Sequence, residues 1–497
     1  MRLGYVKSQL ASYVSSEIAG KYGVPLDVEE VEVRSLNDLR LRNVLLRDIG
    51  GDTIVYANEV RAYLQTARLL KGEIRVNTVA LAAPDVRLNR TAPGEALNIQ
   101  FLLDLLSRDK EKEKSNVDLR INQVLIYDGR LSYDVLGNER VSEGFDPEHI
   151  SVTGFACNLS LRELRDDRID LYIRSISGKE SCGLTVERLR ANVYKEGDSL
   201  SVANFELRTP FSRIATDKLE ICADSTWNNI VLAGSLKSDC FSPEDVAFFV
   251  NRPLDIIPAV RFGVDGFYSK DSVDVAMSLY AADDSFGAKA DAVVTDLFVT
   301  QMKGRVVVDE CFVDEKVASM LDSLLESPSI GYDMKGMLGR LHLNGDVSFN
   351  KDKVGGVLAL SCENGVVLAN GYLDSKWDYS LSLNGKGLNL EKLAGVNGLE
   401  ACELRIEASG NVKDSDNYAT VNGSVEKLVY NGYRYAPIEI SGQCAADVIS
   451  AKVSSSSIEA SRRLSIAERE EKVSSTSLPS VVITPRLRDH SGRPLML

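Results

Sequence analysis

The sequence predicts a mainly β protein, an elongated antiparallel β-sheet curled into a groove, with an N-terminal helix and a few short helices. The first observation is that apolar and polar side chains alternate with a period of two from about residue 26 to residue 450, as in WDYSLSLNGKGLNL at 377–390. The second is that Gly, Pro, Asn and Asp separate the alternating runs, which is typical of turns. Antiparallel strands with one dry and one wet face fit this pattern best.

Composition is that of a folded protein that does not bind nucleic acid. The 497 residues are 44% hydrophobic and 26% charged. Acidic residues outnumber basic ones 72 to 58, for a net charge of −14. Such a chain repels a phosphate backbone, so nucleic acid is not an expected partner.

Residues 1–25 are predicted to form an amphipathic helix. Leu3, Val6, Leu10 and Ile18 recur at helical spacing, and Gly20 begins the stretch that ends the helix. Two roles stay open, namely a helix at a membrane surface and a helix that caps the following sheet. The few basic residues disfavour the membrane role.

A first groove section is predicted over residues 26–240. A short helix, LNIQFLLDLLS, is expected at 97–107, and the charged run at 108–116 is expected to be a solvated loop. Strands then resume with VDLRINQVLIYDGRLSYDV at 117–135, where Asp128 and Gly129 predict a hairpin turn.

Short helices are predicted to interrupt the strands in the section at 241–330. Ser242, Pro243 and Asp245 form the start signal of a helix that contains VAFFV. A second amphipathic helix is expected at 314–327, and both are interpreted as lids over an open sheet.

A second groove section is predicted over 331–450, where the alternation is clearest. The aliphatic residues of LHLNGDVSFN at 341–350 face one way and the polar residues, from His342 to Asn350, face the other. Residues 451–497 are rich in Ser and Arg without a sustained period, and they are predicted to be an irregular, disordered tail.

Residue types that carry chemistry are scarce. The three histidines are far apart in the chain, and DSDN at 414–417 lacks the spacing of a calcium loop. The eight cysteines show no C-x-x-C, and we expect small packed hydrophobes at positions such as Cys157 and Cys402, while their disulfide state stays open. We therefore expect no enzyme, no metal and no cofactor.

A continuous aliphatic sheet face must be covered by other elements, closed on itself, or used to bind an apolar partner. A groove lined by aliphatic side chains suits acyl chains, because each buried CH₂ contributes about 0.8 kcal/mol. The candidate lipid-groove lining consists of alternate strand residues. They are Leu119, Ile121, Leu341, Leu343, Val347, Phe349, Leu358, Leu360, Trp377, Tyr379, Leu381, Leu383, Leu404 and Ile406.

Several segments, in order along the chain, resemble the N-terminal part of the TamB (translocation and assembly module) family of Bacteroidetes, within the AsmA-like superfamily. They include LRLRNVLLRDIGGDTIVYANEV (39–60), LLKGEIRVNTVALAAPDVRLNR (69–90), FDPEHI (145–150) and LVYNGYRYAPIEISGQ (428–443). The resemblance implies a taco-like or repeating β-groove, a periplasmic location at the inner membrane, and a role in outer-membrane biogenesis. It also implies phospholipid and an Omp85-type outer-membrane barrel as partners, and no catalytic residues.

Members of that family begin with a transmembrane anchor and end in a C-terminal domain, so the chain is expected to be a fragment whose anchor is missing. Our leading hypothesis is a groove for phospholipid transport between inner and outer membrane, or a scaffold for outer-membrane protein assembly. The alternatives are a chaperone-like module that binds β-strands of outer-membrane proteins and, with less support, a carbohydrate-active β-solenoid enzyme.

Overall fold

The structure is a computed structural model, and it confirms the mainly β prediction with two short helices among the described residues. It describes residues 26–35, 37–65, 74–101, 117–118, 121–141, 144–164, 168–223, 229–250, 258–297, 301–314, 317, 339–394, 397–411, 413, 418–435, 437–445, 448–455 and 459–465. The helix predicted at 1–25 lies outside these residues, as do most of those predicted at 97–107 and 314–327.

The chain divides into two compact units, Met1–Asp265 and Gly266–Leu497, which are described separately. The predicted section boundaries at 240 and 330 stay predictions. The first unit contains β1 (Leu26–Ser35), β2 (Asp38–Arg47), β3 (Thr53–Leu64), β4 (Ile74–Ala82), β5 (Asp85–Arg90), β6 (Val117–Asp118), β7 (Gln123–Val135), β8 (His149–Leu164), β9 (Arg168–Glu180), β10 (Thr185–Glu196), β11 (Ser199–Arg208), β12 (Arg213–Ala223), β13 (Ile230–Phe241) and α1 (Glu244–Val250). Strand β14 (Val260–Tyr268) contains the boundary.

The first unit departs from the antiparallel prediction where β7 meets β4 and β5. Strands β1 to β4 pair antiparallel in chain order, and so do β7 to β13. Strand β7 instead runs parallel to β4, with Val79 opposite Val124, and parallel to β5, with Val86 opposite Leu131. The residues between β5 and β7 supply the long crossover that a parallel pair requires.

The hairpin predicted at Asp128 and Gly129 is wrong. Strand β7 continues through both residues, and its register with β8 shifts between Ile126 and Gly129. Asp128 has a φ of 51°. An Asp-Gly pair fits a β-bulge as readily as a hairpin turn, because both need a residue with positive φ.

A sealed hydrophobic core lies at the start of the first unit. Asn43, with a φ of 49°, interrupts β2 and changes the phase of its alternation. Leu39 and Leu41 before it and Val44 after it are all buried. They form one cluster with residues of β3, namely Ala57, Val60, Ala62 and Leu64.

The helix start predicted at Ser242 is confirmed. The Ser242 hydroxyl accepts a hydrogen bond from the Glu244 N–H at 3.3 Å, as an N-cap does. Asp245 is buried and accepts a hydrogen bond from the Thr209 hydroxyl at 2.6 Å. This bond ties α1 to the turn between β11 and β12.

A buried carboxylate orders the turn between β9 and β10. Glu180 accepts hydrogen bonds from the Ser151 N–H at 3.1 Å and the Ser181 hydroxyl at 2.8 Å, and a third from the Cys182 N–H. Burial alone would raise the pKa of Glu180, but these donors outweigh it and lower the pKa to about 2.

Glu180→Gln should therefore destabilise the protein by about 1–2 kcal/mol at pH 7, because hydrogen bonds to a charged acceptor become neutral ones. The carboxylate contributes stability above its unfolded pKa of about 4.5, and this contribution is lost as pH falls towards 2. Thermal unfolding at pH 7 and pH 3 measures both effects. The difference between wild type and variant should shrink in acid, and a constant difference would contradict this account.

The second unit is a succession of antiparallel strands. It contains β15 (Ser272–Ala281), β16 (Phe286–Thr295), β17 (Lys303–Val313), β18 (Leu341–Phe349), β19 (Lys353–Cys362), β20 (Gly365–Asp374), β21 (Asp378–Leu388), α2 (Leu390–Ala394), β22 (Leu399–Asn411), β23 (Tyr418–Tyr430), β24 (Tyr433–Tyr435), β25 (Ile438–Ala445), β26 (Val448–Ser455) and β27 (Glu459–Ser465). Each strand from β15 to β23 pairs with the next, and β25, β26 and β27 continue from β23. Strand β24 pairs with the end of β23 across an Asn431-Gly432 turn.

The irregular tail predicted from residue 451 needs correction. Strand β26 crosses the predicted boundary and β27 follows it, so regular pairing continues to Ser465. Backbone hydrogen bonding to β25 and β26 extends the sheet where the side-chain pattern is too weak to predict it. The rest of the predicted tail lies outside the described residues.

Candidate functional site: the apolar face of the second unit

The registers of the second unit bring alternate residues of every strand to one side. Residues directly opposite each other in antiparallel strands project to the same side. Leu343 lies opposite Leu360, and Val347 lies opposite Val306. We call the side that carries these residues, from β15 to β23 and in β25, the apolar face.

Eleven residues of the predicted lining lie together on the apolar face. The ladders place them in β18, β19, β21 and β22. They are Leu341, Leu343, Val347, Phe349, Leu358, Leu360, Tyr379, Leu381, Leu383, Leu404 and Ile406.

The other three predicted residues are not part of these ladders. Trp377 lies in the turn before β21, where it has a φ of 68° and is exposed. Ile121 precedes β7 in the first unit, and Leu119 lies outside the described residues. The eleven residues of the apolar face are thus the part of the predicted lining that the registers of the second unit bring together.

The apolar face also includes residues that the sequence prediction missed. Alternation continues through β15 to β17 and through β23 and β25, and the registers carry it to the same side. The additional residues include Val273, Val275, Met277, Leu279, Val306, Val308, Val421, Val425, Ile438 and Ile440. The alternation of SVDVAMSLYA in β15 is the signal that would have found the first of them.

Charges lie on the opposite side of the sheet. None of the residues that the ladders place on the apolar face between β15 and β25 is charged. On the other side, Arg305 donates from Nε to Asp346 Oδ1 at 2.9 Å, and Lys289 pairs with Asp309 at 2.9 Å. The Arg305 guanidinium lowers the pKa of the Asp346 carboxyl. Ion pairs and apolar surface are thus separated by the sheet itself.

Large aliphatic side chains of the apolar face are left partly open to solvent. Leu358 is 38% exposed, Leu381 37% and Met277 44%, whereas Ile54 in the first unit is fully buried. The polar side is less uniform, because β19 and β20 also expose apolar residues there, such as Leu368. A contiguous apolar surface that neighbouring strands share and leave partly exposed is typical of a binding site for an apolar partner.

Cysteines on the apolar face behave as small hydrophobic residues. All eight cysteines of the chain are free thiols. Cys311, Cys362, Cys402 and Cys444 lie on the apolar face. Burial raises the pKa of Cys402, and it raises that of Cys157 in the first unit to about 11, so both thiols stay protonated.

No family model, curated protein or solved structure significantly matches this chain. The similarity to the TamB family therefore stays a prediction from the quoted segments. Among the described residues, no helix is long and apolar enough to cross a membrane.

The described residues offer little for other chemistry. No group of three or more His, Cys, Asp and Glu side chains among them is arranged to hold a metal. His149 Nδ1 lies 3.0 Å from Asp146 Oδ2 in the first unit, and His342 packs beside the Phe312 ring in the second. His490 lies outside the described residues.

A small cavity of about 330 Å³ lies around the turn between β18 and β19. It is lined in part by Ser348, Asn350 and Asn370. The Lys353 ammonium lies 3.6 Å from the centroid of the Tyr372 ring, so this cation already has an aromatic partner. The residues that line the cavity come from β18 to β20 and one turn, whereas the apolar face extends over ten strands, so the apolar face is the main candidate site.

Proposed function

We propose that the apolar face binds the acyl chains of phospholipids and that the protein acts without catalysis as a path for lipids between the inner and outer membrane. The observation that carries this proposal is the uncharged, partly exposed side shared by ten neighbouring strands, β15 to β23 and β25. Moving an acyl chain over such a surface is partitioning and needs no titratable group.

The dimensions of the apolar face suit lipid. Neighbouring strands lie about 4.8 Å apart, so ten strands cover roughly 43 Å across the sheet. A bilayer core is about 30 Å thick for two leaflets, so one acyl chain spans about 15 Å. Several lipids would therefore fit side by side, each retained by about 0.8 kcal/mol per buried CH₂.

The cellular setting in this proposal comes from the TamB resemblance. It includes a periplasmic location at the inner membrane, a role in cell-envelope biogenesis and an Omp85-type barrel as partner. The uncharged lining supports the lipid part of the proposal, and the quoted sequence segments support the setting.

Photo-crosslinking tests the proposal by comparing neighbouring positions on opposite sides of the sheet. A crosslinking amino acid replaces Leu343 or Leu381 on the apolar face, and His342 or Asn344 serves as the matched control on the polar side. After incubation with phospholipid vesicles and irradiation, the Leu343 and Leu381 proteins should carry crosslinked lipid, measured by mass spectrometry.

Labelling from His342 or Asn344 alone would reverse the proposed orientation. A parallel incubation contains an unfolded outer-membrane protein. Absence of lipid at all four positions, together with crosslinks to that protein, would favour the chaperone-like function instead. Equal amounts of the four purified proteins are compared, so that differences in their expression do not decide the result.

A further inference from the structure

At one end of the sheet in the second unit, four of the segments that connect consecutive strands contain a lysine. Lys270 lies between β14 and β15, Lys351 between β18 and β19, Lys376 between β20 and β21, and Lys413 between β22 and β23. All four side chains are exposed. We call these four residues the lysine rim.

The four lysines have no ion-pair partner within the described part of the chain. Other lysines nearby are engaged, since Lys303 pairs with Asp296 at 3.7 Å and Lys353 contacts the Tyr372 ring. The rim is therefore the set of cations at this end that is left available for an anion.

Carboxylates at the same end have structural roles in the turns. Asp374 Oδ1 accepts hydrogen bonds from the N–H groups of Lys376 and Asp378, both at 2.9 Å. Asp378 Oδ1 in turn accepts a hydrogen bond from Asn411 Nδ2 at 2.7 Å. These two carboxylates bind groups of the turns rather than lysine side chains. Asp271 and Asp352 follow Lys270 and Lys351 directly in the sequence, so the rim also contains acidic residues.

The opposite end of the sheet has fewer lysines in its described connections. Its described connections carry Asp283, Asp284, Glu363 and Glu391. Arg340, a cation there, lies over the Phe312 ring at 4.0 Å. Among the described connections, lysines thus recur at one end of the sheet, whereas the opposite end has Lys392 as its one lysine.

The lysine rim adjoins the apolar face. The residues of the face nearest this end include Phe349 and Tyr379, and the exposed Trp377 follows Lys376 directly. Connections at one end of an antiparallel sheet recur every second strand, so rim positions lie about 10 Å apart where they are consecutive. Aromatic rings beside lysines are typical of surfaces that meet lipid head groups.

We propose that the lysine rim binds the phosphate of lipid head groups whose acyl chains lie on the apolar face. This inference rests on the proposed function and names the substrate class, namely lipids with an anionic head. An amphiphile with apolar chains and an anionic phosphate matches the uncharged face and the cationic rim together.

The test compares two double variants of the whole chain with equal loss of charge. Lys351→Gln with Lys376→Gln removes half of the rim, whereas Lys386→Gln with Lys392→Gln removes one exposed lysine from the polar side and one from the opposite end. The probes are phosphatidylglycerol and diacylglycerol that carry the same fluorescent acyl chain. Equilibrium binding of each is measured at low and high salt.

The rim variant should bind phosphatidylglycerol roughly 25-fold more weakly at low salt, since each of its two lost lysines would contribute about a factor of five near an anionic head group. Diacylglycerol binding should be unchanged, and high salt should reduce the difference. The control variant should match wild type, and Lys351→Arg with Lys376→Arg should retain binding.

Unchanged phosphatidylglycerol binding in the rim variant would overturn the lysine rim while leaving the proposed function in place. Equal loss of both lipids would also overturn it, because the effect would then not depend on phosphate. If wild type binds neither lipid, the proposed function itself fails. If glycerol phosphate without acyl chains binds wild type as tightly as phosphatidylglycerol does, the rim is a site for free phosphate and the lipid assignment is wrong.

Discussion

Leu381→Asp is expected to lower phospholipid binding at least tenfold without unfolding the protein. The apolar face has no charged neighbour to pair with the new carboxylate, and an acyl chain that crosses it must displace water from an ion. Leu381 is 37% exposed, so the carboxylate stays hydrated when no lipid is bound. Binding of a fluorescent phospholipid, together with circular dichroism, measures the two parts of the result.

Ser382→Asp is the matched control for that experiment. Ser382 is adjacent in β21 but projects to the other side, opposite Asn370 and Glu407. The Ser382→Asp variant introduces the same charge as Leu381→Asp and should leave lipid binding unchanged. Equal losses in both variants would mean that net charge, and not the apolar face, controls binding.

Gly356→Val should cause the largest loss of stability, about 3 kcal/mol or more, because the new side chain overpacks closely spaced strands. A Cβ at Gly356 would lie 2.2 Å from the Asp346 carbonyl oxygen and 2.8 Å from the Val347 Cα. Both are backbone atoms, so β18 would have to move. For a unit of this size the melting temperature should fall by about 6–12 °C.

Val354→Ile is a suitable comparison for Gly356→Val. Val354 lies two residues earlier in β19, on the same face, and is 41% exposed. The added methylene meets open space, so its effect should stay within about 0.5 kcal/mol. Calorimetry of both variants tests the account, which fails if Gly356→Val melts as wild type does.

Strand faces in the second unit were predictable because side chains in a strand alternate with a period of two. That rule alone places Leu341 and Leu343 together. It does not give the register between strands. Here the registers, with shifts such as that between Val308 and Cys311, keep the apolar residues on one side, and Leu383 lies opposite Ile406. The sequence therefore predicts the faces of single strands, whereas their union into one apolar face comes from the pairing.

Other features were not predictable from local patterns. The parallel pairing of β7 with β4 joins residues that are distant in sequence, and the bulge at Asp128 has the same residue types as a hairpin. Strands β14 to β17 occupy a region where helix start signals dominated the sequence interpretation. In each case a tertiary contact decided between local alternatives that the sequence left equally suitable.

The ladder from β15 to β23 joins each strand to the one before it and the one after it in the chain. Such an arrangement is modular: duplication or deletion of two consecutive strands keeps the direction, phase and flanking partners of all the others. Each such event would change the reach of the surface by about 10 Å. The extent of the apolar face can thus change through the number of hairpins, without a change in the hairpins that remain.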